Sequence, residues 1–173
     1  KTVWQMTDTP GRITRGQYAT QNLATPDGEW LIYGSDRGNQ KGRLDLFRMN
    51  LRTGESVQLT ESVLGCNPQW AHLSPDGREA YYVEDTNHFR VVNIHNLEER
   101  SLGRVESCTR PHQLTVSPDN RFIANALFLE DKPEEEFLTK PLGFLIRSAV
   151  VVIDTRTGAQ HRLIDGNTPR THV

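Results

Sequence analysis

Three stretches of this 173-residue chain set side chains able to bind ligands or move protons at fixed distances ahead of one tetrapeptide. The tetrapeptides are Thr25-Pro26-Asp27-Gly28, Ser74-Pro75-Asp76-Gly77 and Ser117-Pro118-Asp119-Asn120. Counting back from their prolines, the eighth residue is Tyr18, Asn67 or Arg110, the sixth Thr20, Gln69 or His112, and the fifth Gln21, Trp70 or Gln113. All nine are polar or aromatic, where ordinary strand burial would place aliphatics at some positions. Near the end of the sequence, Arg170 and His172 extend the set. A guanidinium grips a carboxylate through two parallel N–H bonds, a role that suits Arg15 and Arg110. An imidazole takes up a proton or a metal near neutral pH, a role open to His112 and His172. Together these residues are what a pocket for a polar, anionic ligand needs. The plainer alternative is that they line a channel, bind water and stabilise the start of each repeat.

The elements that must position them follow from the repeat itself. The turn prolines are spaced by 49 and then 43 residues. Proline presets φ for the turn, and Asp followed by Gly or Asn accepts its partly left-handed geometry. After each turn comes an apolar strand (Trp30 to Tyr33, Ala80 to Val83, Phe122 to Ala126), and then a second (Leu44 to Leu51, Phe89 to Ile94, Ala149 to Asp154). Arg52-Thr53-Gly54-Glu55 and Arg156-Thr157-Gly158-Ala159 are nearly one hairpin word, and the alternation Ser56 to Thr60 makes a further strand. With the strand that leads into each turn, this gives four strands per repeat, the content of a β-propeller blade. The prediction is an all-β partial propeller of four-stranded, WD40-like blades: blade 1 about 17–62, blade 2 about 66–106, blade 3 about 109–166, and the start of blade 4 about 168–173. Blade 3 carries an insertion at about 129–143, where Pro133, the run Glu134 to Glu136 and Pro141 predict a short helix with a solvated acidic face. Three blades do not close a propeller, so the remaining blades are expected in the same chain or on another.

Composition excludes several classes. Twenty basic against 22 acidic residues, a net charge of -2, gives no long-range attraction to nucleic acid or anionic membrane. The longest apolar run, Ala149 to Ile153, is strand length, so no membrane span is expected. Two cysteines, Cys66 and Cys108, supply too few ligands for a zinc site. They stand nine and ten residues ahead of their turns, on adjacent blades, where free thiols are the first expectation and a disulfide at the channel mouth the alternative. His88, His95 and His161 are expected at the surface, and His72 as a hydrogen-bonded strand residue. Phosphate-binding glycine loops, zincin motifs and nucleophile elbows are absent from the sequence.

The run from Thr25-Pro26-Asp27-Gly28 through Ser35-Asp36-Arg37-Gly38 to Asn50-Leu51-Arg52-Thr53-Gly54-Glu55 and Val57-Gln58-Leu59-Thr60 resembles the TolB-type propeller repeat. A narrower resemblance is to the oligogalacturonate lyases, seven-bladed propellers. It rests on the lead Met6-Thr7-Asp8-Thr9-Pro10 and on the insertion before Val150-Val151-Val152-Ile153-Asp154-Thr155-Arg156-Thr157-Gly158. The resemblance implies a pectin-degrading lyase acting by β-elimination on acidic oligosaccharides, with a manganese-like cofactor whose ligands, like the catalytic histidine and arginine, lie in blades beyond Val173. That family's basic and aromatic cluster ahead of the first strand is reduced here to Arg15, Tyr18 and Gln21. In such a reaction cations neutralise the uronate carboxylate while a base removes the adjacent proton. Arg15, Tyr18, Gln21, Asn67, Gln69, Arg110, His112, Arg170 and His172 are accordingly the expected substrate contacts, and no catalytic or metal-ligating residue is assigned in this segment. Two alternatives stand beside it: a non-catalytic TolB-like scaffold that binds a protein partner, and the propeller of a prolyl oligopeptidase-like hydrolase. The lyases are cytoplasmic and TolB periplasmic, so the compartment stays open.

Overall fold

The computed structural model describes residues 5–16, 24–106, 108, 110–128 and 145–169. Their strands are β1 (Thr14–Gly16), β2 (Trp30–Ser35), β3 (Asp45–Asn50), β4 (Ser56–Gln58), β5 (His72–Leu73), β6 (Glu79–Glu84), β7 (His88–Asn93), β8 (Glu99–Arg104), β9 (Arg110–Val116), β10 (Phe122–Phe128), β11 (Leu145–Asp154) and β12 (Gln160–Pro169). They form three antiparallel four-stranded sheets in which neighbours in space are neighbours in sequence: β1 to β4, β5 to β8 and β9 to β12. Each sheet is one propeller blade.

The repeated tetrapeptide makes the same turn three times. A hydroxyl from Thr25, Ser74 or Ser117 donates to the aspartate two residues on, Asp27, Asp76 or Asp119. That aspartate also accepts the backbone N–H of Glu29, Arg78 or Arg121. The last turn residue is left-handed in all three, with φ of 70° at Gly28, 72° at Gly77 and 58° at Asn120, as such a turn requires. At the opposite hairpin, the side chains of Asn50, Asn93 and Asp154 each accept the backbone N–H groups two and three residues on. The sequence shows this hairpin twice. The third copy, Asn93 to Leu97, is hidden because a leucine with φ of 65° takes the place of Gly54 and Gly158, and left-handed backbone is uncommon outside glycine.

Strand alternation then packs the blades. On β6, Tyr81 and Val83 face the third blade with Phe89, Val91 and Leu102, meeting Leu114, Ile123, Leu127, Val151 and Ile153. Their neighbours Ala80 and Tyr82 face the first blade with Val92 and Ile94, meeting Ile32, Leu46 and Leu59. Two arginines tie the rims. Arg48 donates to the Ile94 carbonyl, its guanidinium 4.5 Å from the centre of the Trp30 ring, where the ring face attracts a cation. Arg100 donates to the Thr155 carbonyl.

The structure departs from the expected boundaries at both ends. The leading strand of the first blade begins at Thr14. Thr168 and Pro169 pair with Ile146 and Leu145, because β11 and β12 each run to ten residues, so both belong to the third blade's outermost strand. The helix expected at about 129–143 lies outside the described residues.

Candidate functional site

The innermost strands β1, β5 and β9 stand side by side around the prospective axis. The turn Pro68–Trp70, which leads into β5, contacts both β1 and β9. Each innermost strand is interrupted along its ladder, and by a different amount. From Leu31 to Tyr33 is two positions, yet their partners Ala24 and Gly16 are eight apart. Tyr81 and Glu84, three apart, pair with His72 and Cys66, six apart. Asn125 and Leu127, two apart, pair with Leu114 and Pro111, three apart. Counting from the turn proline therefore does not give equivalent positions at the far end of these strands; ladder register does. By register, Arg15 opposite Gly34, the Asn67–Ala71 segment opposite Tyr82 and Val83, and His112 with Gln113 opposite Ala126 share one level.

Arg15 is exposed at that level. His112 is exposed too, its ring edge-on to Phe128 with centroids 6.0 Å apart, a favoured geometry for two aromatic rings. The bulge that presents it is clamped by Asn125, which accepts from the His112 N–H at 3.2 Å and donates to its carbonyl at 2.7 Å. Bulges of this kind re-aim a side chain out of the ladder. Asn67 caps the Pro68–Trp70 turn, its side-chain oxygen accepting from the Gln69 N–H at 3.0 Å. Its side-chain oxygen is thus committed to the turn. Gln69 and Trp70 are half-buried on the same turn. Arg110 pairs with Phe128 along β9, one end of the same strand. Tyr18, Gln21, Arg170 and His172 lie outside the described residues. The structure thus brings Arg15, Asn67, Gln69 and His112 to one end of the innermost strands.

The surrounding loops hold this end rigid. Asp36, at the start of the 36–44 loop, accepts the Ile13 N–H at 2.8 Å and the Gly42 N–H at 2.7 Å. The Gly42 N–H holds its carboxyl below the ordinary range, outweighing burial, with the Ile13 N–H and the nearby Arg12 adding to the effect, since bonds donated to the charged form favour it. A carboxylate so depressed stabilises the fold above its unfolded pKa and loses that contribution as pH falls through its folded pKa. Acid titration of the thermal midpoint, between about pH 5 and about pH 2, should accordingly be shallower in Asp36→Asn than in the parent protein. Equal slopes would remove this carboxylate from the acid response.

Cys66 and Cys108 are both buried thiols outside any disulfide, and they sit in different cores, Cys66 between blades 1 and 2 and Cys108 between blades 2 and 3. Burial, then the Asp45 and Glu84 carboxylates, push the Cys66 thiol up, which makes it a poor nucleophile. His72 bonds the Leu73 carbonyl at 2.6 Å, as a strand histidine should, and His95 and His161 are exposed. His88 differs from expectation: its side chain is only 17% exposed and bonds Glu84. The turn Asp85–Asn87 folds it back onto the preceding strand, a closeness hinted at only by the spacing Glu84-x-x-x-His88. Among the described residues, no three His, Cys, Asp or Glu side chains converge as metal ligands.

No protein-family model matches the sequence, and no curated protein matches it. Solved structures do. An oligogalacturonate lyase from Vibrio parahaemolyticus is similar at 22% identity with a TM-score of 0.77, over 93% of this chain and 43% of that one. An oligogalacturonate lyase in complex with manganese is similar at 22% identity and 0.73, over 91% of this chain and 42% of that one. A putative TolB from Agrobacterium tumefaciens gives 17% identity and 0.63, over 94% and 53%. The chain therefore spans less than half the length of the lyases it matches. At these identities the likeness speaks for architecture: this chain carries three blades of a β-propeller of the kind found in TolB and the oligogalacturonate lyases.

Proposed function

We infer that the full-length protein is a carbohydrate-active lyase that cleaves acidic, oligogalacturonate-like oligosaccharides by β-elimination, and that these blades supply substrate contacts. The observation that carries this reading is the shared level of Arg15 and His112 on the first and third innermost strands, beside the polar Asn67–Trp70 segment. An exposed guanidinium and an exposed imidazole there suit a row of carboxylates on a sugar chain. Similarity to two lyases in fold supports the same assignment. In this reading a manganese-like ion would be held by the blades that complete the propeller, and these residues would act by orienting the uronate. A further blade also fits the third sheet: Phe122, Ala124, Val150 and Val152 are half-covered, while the alternate residues Ile123, Val151 and Ile153 are buried against the second blade.

The test is the ultraviolet absorbance of unsaturated uronate, released by full-length protein from oligogalacturonate with divalent manganese. Arg15→Ala and His112→Ala are each expected to raise KM about 10-fold, the scale of one lost hydrogen bond to a charged group. No unsaturated product from any acidic oligosaccharide would overturn the reading. One observation favours a second reading, a non-catalytic scaffold docking a protein partner on this face. The linker between blades 1 and 2 exposes Val63 and Leu64, at 75% and 54%, and adjacent exposed apolar side chains mark contact surfaces. A stoichiometric partner retained by the Arg15→Ala and His112→Ala variants but lost with Val63→Asp would decide for it.

A further inference from the structure

A different constellation sits on the outer half of the second blade. His88, at the start of β7, lies between a hydroxyl and a carboxylate: its Nε2 is 2.8 Å from the Ser101 Oγ on β8, and its Nδ1 is 3.2 Å from the Glu84 Oε2 on β6. Exposure falls along this relay, from exposed Ser101 to a His88 side chain at 17% and a Glu84 side chain at 14%. The second-blade ladder shifts register between Phe89 and Arg90, which leaves Leu102 unpaired and sets Gly103 at φ 100°, the two-against-one count of a β-bulge. The Gly103 N–H consequently points at the Ser101 Oγ, 3.1 Å away. Glu84 is held as an anion: its Oε1 accepts from the Ser62 hydroxyl at 2.6 Å and its Oε2 from Arg90 at 2.9 Å. A nucleophile, a base and a carboxylate that orients the base, each within hydrogen-bond reach, are what acyl transfer requires, whatever the fold that presents them.

We propose that Ser101, His88 and Glu84 form an acyl-transfer site for small carboxylic esters, made of other residues than the Arg15, Asn67, Gln69 and His112 set. The Ser101 Oγ, oriented by the Gly103 N–H that donates to it, adds to the ester carbonyl carbon while its proton passes to His88 Nε2. The tetrahedral adduct collapses, the bond to the alcohol oxygen breaks, and the alcohol leaves with the proton from His88. Water then adds to the acyl carbon, giving its proton to Nε2. The bond to Oγ breaks, and Oγ recovers that proton. Ester and water become acid and alcohol. The groups facing His88 are Glu84, Arg90, Arg104 and the Ser101 hydroxyl. Burial, then the Arg104 and Arg90 guanidiniums, hold the imidazole below its usual range despite Glu84, so the base is neutral near pH 7.

The experiment uses full-length protein and p-nitrophenyl acetate as the probe, with the adduct located by intact mass and tandem mass spectrometry of the peptide holding Ser101. Expected are one acetyl group on Ser101 and a release rate that climbs through the acid range and levels by neutral pH. The rate should fall about 100-fold in Ser101→Ala and in His88→Gln, the scale of a lost nucleophile or general base. Ser101 is exposed, so Ser101→Ala should melt with the parent protein. Absence of acetyl on Ser101, acetylation confined to other residues such as Lys41, or an unchanged rate in His88→Gln would each overturn the proposal. None of these outcomes depends on lyase activity.

Discussion

Gly34→Val is expected to lower the thermal midpoint of the full-length protein by about 2 to 4 °C, the shift that corresponds to about 2 to 3 kcal/mol of overpacking in a propeller about twice as long as this chain. A Cβ at position 34 would stand 2.3 Å from the Pro68 Cγ and 2.6 Å from its Cβ. The proline ring has no rotamer to escape into. It opens a turn whose cap and closing bonds are already made: Asn67 to the Gln69 N–H, and the Ala71 N–H to the Pro68 carbonyl. Relief must therefore come from moving the whole Pro68–Trp70 turn away from β2. That turn carries Gln69 and Trp70, so under the proposed function KM for oligogalacturonate should rise as stability falls. The control is a double-mutant cycle with Pro68→Ala. If the clash is the cause, the pair should be more stable than the sum of the single changes allows. An additive pair would place the damage elsewhere, in the strand propensity of β2 or its contact with Arg15.

The Gly34–Pro68 contact shows where sequence reading succeeds and where it stops. Proline-aspartate turns announce themselves because φ preset by one residue and a left-handed position at another are local requirements, and three copies at blade-like spacing define the fold. Ladder register is not local. The innermost strands skip six, three and one positions against their partners on the next strand, so Arg15 comes level with His112 although counting from their turns separates them. The same blindness hides the relay at His88. Ser101 reaches that ring only because a bulge on β8 offsets the strand by one residue; Gly103, a glycine within a strand, is the sequence's one signal of that bulge, and it does not say which side chains the offset brings together. Residue type is what the sequence does carry: Arg15, Asn67, Gln69 and His112 are legible as polar side chains on leading segments, and the structure sets them at one end of three adjacent strands.

Asp45→Ala should be the more damaging of two changes at the base of the 36–44 loop. Asp45 is fully buried, and four groups converge on it. Oδ1 accepts from the Thr60 hydroxyl at 2.9 Å and the Ser62 N–H at 2.8 Å, and Oδ2 accepts from the Asn39 amide at 3.0 Å and, more weakly, from Gln58 at 3.5 Å. These donors come from the loop, from the end of the first blade and from the linker into the second, so one carboxylate joins three segments that border the channel face. Removing it strands three close donors at a site with little access to water, and at about 1 kcal/mol or more for each the loss should reach about 3 kcal/mol. Asp45→Asn keeps one acceptor oxygen for Thr60 and Ser62 but turns an N–H₂ toward the Asn39 amide, so it should cost about half as much. Denaturant unfolding followed by tryptophan fluorescence measures both, since Trp30 and Trp70 lie in the first two blades. The ranking matters more than either number: equal losses would mean that charge rather than acceptor count holds the loop. The Ser62 contact also couples this centre to the second blade, because the Ser62 hydroxyl donates to Glu84 while its N–H donates to Asp45. Asp45→Ala should for that reason loosen Glu84 and slow acetylation of Ser101, whereas Asp36→Asn, whose carboxylate bonds the Ile13 and Gly42 N–H groups at the far side of the loop, should leave that rate unchanged.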